Sequence, residues 1–251
     1  MVKRQRPQGR FFFSLPFGGF GAAHPGGKIG LFADIEDPVM TATDHATVST
    51  PVRLPIGTTD GVVFDVVAWG PAYADVDFSV ACMFEHEVGG APIAGGLLGL
   101  DQALGGHLTR MRAAGAFRAQ PMETMLIVSP PPGMLPRAVL VIGLGDPATL
   151  DAERLRQATR AAMREAIRHG ARSMAFAPSV LDAGHTDNTA LDMPAVMLDG
   201  MLSALRAELA LATAELTPPP ALRHCTFDVG AARVAGAAQA FSDAFSAALR
   251  R

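Results

Sequence analysis

From about residue 61 onward, two hydrophobic rhythms alternate along the chain. Short apolar runs rich in β-branched and aromatic residues predict strands at 62–69 (VVFDVVAW) and 76–84 (VDFSVACMF). The runs 124–131 (TMLIVSPP) and 137–146 (RAVLVIGLGD) are apolar without alternation, as in strands covered on both faces. Further strands are predicted at 172–178 and 221–229. Between them, apolar positions recur every three or four residues. Over 97–115 these are Leu97, Leu100, Leu104, Leu108 and Met111, one buried face of a helix. Asp151 suits the N-cap of the next helix and Gly170 its stop. Helices at 193–215 and 231–251 follow. Strands alternating with helices imply an α/β fold, a three-layer α/β/α sandwich around a mostly parallel or mixed sheet. There is no internal repeat.

The first sixty residues break this pattern. Phe11, Phe12, Phe13, Phe17 and Phe20 are spaced among glycines, which suits neither a helix nor a regular strand. Each contributes roughly 1.5–3 kcal/mol when fully buried, so the segment is expected to lie against the body of the protein or a partner chain. Those five residues are the candidate interface. Short strands are expected at 28–35 and 46–54. The predicted division is an aromatic and glycine-rich extension over 1–60 and a main domain over 61–251.

Composition narrows the function classes. A formal charge of −3 supplies no electrostatic case for nucleic acid or an anionic membrane. The basic start, MVKRQRPQGR, reads as a solvated tail. Cys82 and Cys225 lie far apart in apolar contexts, the pattern of reduced, buried thiols in the cytoplasm. No apolar run reaches the roughly 20 residues needed to cross a bilayer. The stretch FFFSLPFGGFG is too short, too rich in glycine and broken by Pro16 to be a signal sequence. A cytoplasmic location is expected.

The run from Leu100 to Pro178 resembles the N-terminal domain of peptidase family M17, the leucyl aminopeptidases. The matching features are Leu100-Asp101 opening a helix, Gly115-x-Phe117 closing it, VLVIGLG at 139–145 and LRQA at 155–158. The likeness covers roughly 62–230. It implies a macro-domain-like mixed sheet with helices on both faces, a domain that performs no chemistry and shapes assembly. The family's two-metal peptidase centre, built around an Asn-Thr-Asp-Ala-Glu-Gly-Arg stretch, has no full counterpart. NTALD (188–192) lacks its acidic residue and its ending. CTFDVG (225–230) resembles a Thr-Phe-Asp-x-Gly-Gly metal-ligand segment through Asp228, but its lysine is absent. The residues that follow are too few for a catalytic domain. The expectation leans against an enzyme, with no catalytic residue, metal site or cofactor.

Other residues remain candidates. Gly143 and Gly145 follow a strand and precede a helix, a place where backbone N–H groups can approach a phosphate. A tight turn is the plainer reading. Gly95, Gly96 and Asp101 lie at a glycine-dense helix start, and macro domains cradle the diphosphate of ADP-ribose with such loops. Here the plainer reading is a flexible loop or close packing. Asp182, His185, Asp187 and Asp192 mix carboxylates with an imidazole, which can hold zinc or manganese, yet such loop residues more often cap a helix. Glu85, His86 and Glu87 offer a general base without a nucleophile beside it. The leading expectation is a non-catalytic module acting through a homo-oligomer or a protein partner. The alternatives are a nucleotide-like or ADP-ribose-like ligand near Gly95, Gly96 and Gly143, and a divergent metal-dependent hydrolase using Asp228.

Overall fold

The computed structural model of the chain describes residues 53–86, 90–180 and 191–250. The phenylalanines at 11–20, the strand expected at 28–35 and nearly all of that expected at 46–54 lie outside the described residues. So do Glu87, Asp182, His185 and Asp187. By contacts the chain divides after Thr47, and every described residue lies in the second unit, Val48–Arg251.

Among the described residues the first strand begins at Leu54, ahead of residue 61. Strand β1 (Leu54–Thr59) turns back on β2 (Val62–Val67) through Asp60 and Gly61. Their φ angles of 51° and 73° are the paired left-handed values that an Asp-Gly hairpin turn requires. The next elements are β3 (Phe78–Phe84), α1 (Gly95–Ala103), α2 (His107–Ala113), β4 (Thr124–Ile127) and β5 (Ala138–Gly145). Then come α3 (Ala152–Arg168), β6 (Ser173–Ala177), α4 (Met193–Thr213), β7 (His224–Asp228) and α5 (Val234–Leu249).

Among the described residues, seven strands form one sheet in the order β1-β2-β7-β6-β3-β5-β4. The five inner strands are parallel, and β1 and β4 pair antiparallel at the edges. The mixed sheet expected from the sequence is therefore present. On one face Phe64, Val80, Ile142, Phe176 and Phe227 pack against the apolar sides of α3, α4 and α5. Phe227 stacks on Phe241 of α5 at 4.0 Å between ring centres. On the other face Ala81, Met83, Val139 and Val141 meet Leu97, Leu100 and Leu108 of α1 and α2. Both faces are thus covered, which explains why β3 and β5 are apolar at almost every position.

The helix expected over 97–115 is two helices. Gly105 and Gly106 carry φ angles of 62° and 79°, and they break the run between α1 and α2. The buried carboxylate of Asp101 then caps α2, accepting from Leu108 N at 2.8 Å, Thr109 N at 3.2 Å and Thr109 Oγ1 at 2.5 Å. The longer expected strand at 124–131 stops at Ile127, ahead of the proline run 130–132.

Candidate functional site

The carboxyl ends of the parallel strands all open on one edge of the sheet. The chain leaves β3 toward α1 on one face and leaves β6 toward α4 on the other, so the strand order reverses between them. Crevices beside such a reversal are where open α/β sheets hold ligands. A cavity of about 360 Å³ lies on the far side of β6 from that reversal, at the ends of β6 and β7. Pro178, Ser179 and Val180 follow β6; Asp228, Val229 and Gly230 end and follow β7. The opposite wall comes from Met193 and Met197 of α4 and from Gly236 and Phe241 of α5, with Arg233 just before α5.

Each wall has a local cause. Asp192 accepts from Ala195 N at 3.2 Å and starts α4, with Pro194 in its first turn. That places Met193 and Met197 one turn apart on the helix, on one side of the cavity. Asp228 is almost fully buried, and its Oδ1 accepts from the backbone N–H of Trp69 at 2.9 Å, which ties the exit of β2 to the end of β7. Gly236 leaves open space where a side chain would stand, since a Cβ there would meet nothing within 4 Å. Ser179 is buried, its Oγ has no hydrogen-bond partner among the described residues, and its φ of 54° is left-handed. The lining is mostly apolar, with polarity confined to Ser179, Asp228 and Arg233.

The glycines singled out from the sequence stand elsewhere on this edge. A Cβ at Gly143 would lie 2.1 Å from the Gln120 carbonyl oxygen, and one at Gly145 2.6 Å from Pro121 Cγ. Gly143 N donates to Glu123 O at 2.7 Å and Gly145 N to Ala119 O at 2.9 Å, so both glycines serve close packing of the 119–123 segment. Gly95 and Gly96 begin α1, Gly95 with a φ of 53°. Asp101 is engaged in capping α2. None of the five lines the cavity. Of the residues weighed as metal ligands, Asp192 caps α4 and Asp228 holds Trp69. Among the described residues no three or more His, Cys, Asp or Glu side chains gather as a metal site would require. His86 Nε2 lies 3.8 Å from Asp146 Oδ1, an exposed pair between the ends of β3 and β5. No described helix is long and apolar enough to cross a membrane.

The cavity residues run from 178 to 241 and share no motif, which is why the sequence reading missed all but Asp228. The legible trace was punctuation: Pro178-Ser179 follows β6 directly and Gly230 stands two residues past β7.

The profile of the N-terminal domain of the cytosol aminopeptidase family matches residues 90–200. That stretch is thus similar to the family's N-terminal domain. A mutant of tomato leucine aminopeptidase superposes with a TM-score of 0.52 at 14% identity, over 74% of this chain and 37% of that one. The chain thus spans little more than a third of the tomato enzyme's length. A Trypanosoma brucei macrodomain in complex with ADP-ribose gives a TM-score of 0.53 at 18% identity, over 77% of this chain and 74% of that one. An Oceanobacillus iheyensis macrodomain mutant gives 0.53 at 11% identity, over 80% and 98%. At these identities the fold alone is shared, and it is macro-like. No curated protein sequence matches the chain.

Proposed function

We propose that this macro-like domain binds a small, nucleotide-like molecule in the cavity at the ends of β6 and β7. The observation that carries the proposal is the cavity itself. It is mostly apolar, about 360 Å³ in volume and open at the carboxyl ends of two parallel strands, within the size range of small-molecule sites. The two methionines and Phe241 suit a flat apolar body such as a base. Arg233 and the amino end of α5 suit a negatively charged group. A macrodomain of the same fold has been solved with ADP-ribose, so ADP-ribose and ADP are the first ligands to try. Thermal unfolding of the full chain against a panel of nucleotides tests this reading. A ligand at 100 times its Kd adds about 2.7 kcal/mol of stability. A chain whose melting none of them shifts does not have this function.

Association with a second copy or a separate protein is the other reading. Tyr73, Val128 and Leu135 are more than half exposed, and Leu135 N donates to Ala72 O at 3.2 Å, so Tyr73 and Leu135 belong to one surface. Clustered exposed apolar side chains favour an interface. The phenylalanines at 11–20 extend the same proposal. Light scattering of the full chain is expected to report a multimer, and deletion of residues 1–27 to weaken it while the core stays folded. A strict monomer indifferent to that deletion rules the reading out.

A further inference from the structure

Resting on the reading that the cavity binds a small molecule, we infer that Ser179 is its specificity-determining residue: a ligand-contacting hydroxyl kept at a cost in stability. Three irregularities meet at this one side chain. First, Ser179 has a φ of 54°, a left-handed conformation that a residue with a Cβ disfavours. Second, the residue is 7% exposed, and Oγ has no hydrogen-bond partner among the described residues. Third, it lines the cavity directly after the carboxyl end of β6.

The other described non-glycine residues with positive φ have local explanations. Asp60 makes the β1–β2 hairpin turn. Glu215 closes α4, its N–H donating to Ala212 O at 3.0 Å. Ala119 accepts from Gly145 N at 2.9 Å, and Met122 donates to Gly143 O at 2.9 Å, both as part of the packing against β5. Ser179 differs from these in standing on the wall of the cavity with its Oγ unpartnered among the described residues. Unfavourable backbone and an unsatisfied buried hydroxyl, together at the wall of a cavity, are the marks of a residue held for binding. A hydroxyl rotor brought to face the cavity would donate to or accept from a ligand there. Against walls of methionine, alanine and phenylalanine, that hydroxyl selects molecules that present a polar edge at the end of β6 over purely apolar ones.

The test uses the full chain with Ser179→Ala and Ser179→Gly, and ADP-ribose and ADP as probes. Removing the orphan hydroxyl, and in the glycine variant the backbone strain as well, is expected to raise the apo Tm by about 2 °C or more. The same variants are expected to bind the probe that wild type binds about 3- to 10-fold more weakly. A structural role predicts the reverse in the apo protein, so a lowered Tm in both variants overturns the inference. Unchanged affinity in both variants, where wild type binds, overturns it while leaving the cavity reading standing. A wild-type chain that binds none of the nucleotides overturns the cavity reading and this inference with it.

Discussion

Gly143 and Asp101 show how a residue can look like a ligand contact in sequence and serve the scaffold in structure. A methyl group at Gly143 would meet backbone on one side, 2.1 Å from Gln120 O and 2.4 Å from the Ala119 carbonyl carbon, and neither can rotate away. Gly143→Ala is expected to cost about 3 kcal/mol in denaturant unfolding, with the 119–123 segment displaced. Asp101→Ala removes the acceptor for two amides and one hydroxyl at the start of α2, and should cost about 2 kcal/mol. Neither change should alter ligand affinity once stability is allowed for, because neither residue lines the cavity. The two cysteines belong to this scale as well. Burial alone pushes the Cys82 thiol far up, and burial with the nearby Asp65 carboxylate does the same for Cys225. Both should stay protonated and unreactive toward thiol reagents at neutral pH in the native protein, and react once it is unfolded. Rapid native labelling of either would contradict their place in the core.

Among the elements, α3 and α4 depend on one close crossing. Gly200 of α4 stands so near α3 that a Cβ would lie 2.0 Å from Thr159 Oγ1 and 2.6 Å from Arg156 O. Arg156 Nε also reaches across to Asp199 Oδ2 at 2.7 Å. Gly200→Ala is expected to lose about 3 kcal/mol, and adding Thr159→Ala to restore only part of it, since the Arg156 carbonyl remains. A double-mutant cycle by chemical denaturation checks both figures. The helices and inner strands were legible because burial imposes a clear period, as in the Leu155, Ala158, Ala162, Ala166 face of α3. The break between α1 and α2 was hidden because the leucine spacing runs straight across Gly105 and Gly106. Strand β1 was not legible, since LPIGTT carries little β-branched or alternating signal and the strand is defined by the Asp60-Gly61 hairpin turn.

At the largest scale, the seven described strands form a mixed sheet covered on both faces that puts five parallel strand ends on one edge. The fold class and the family likeness were legible, because order and spacing of elements survive where single motifs are weak. The cavity was not, because it is made by topology: Ser179, Asp228, Gly230 and Phe241 converge only when β6 and β7 lie side by side. Gly236 offers a direct control, since its missing side chain leaves open space on the cavity wall. The decisive measurement is calorimetric titration of ADP-ribose and ADP into the full chain and into Gly236→Met. Saturable binding to wild type that is lost when the methionine fills the cavity is the expected result. Absence of binding to wild type, or binding that the filled cavity leaves intact, contradicts the account.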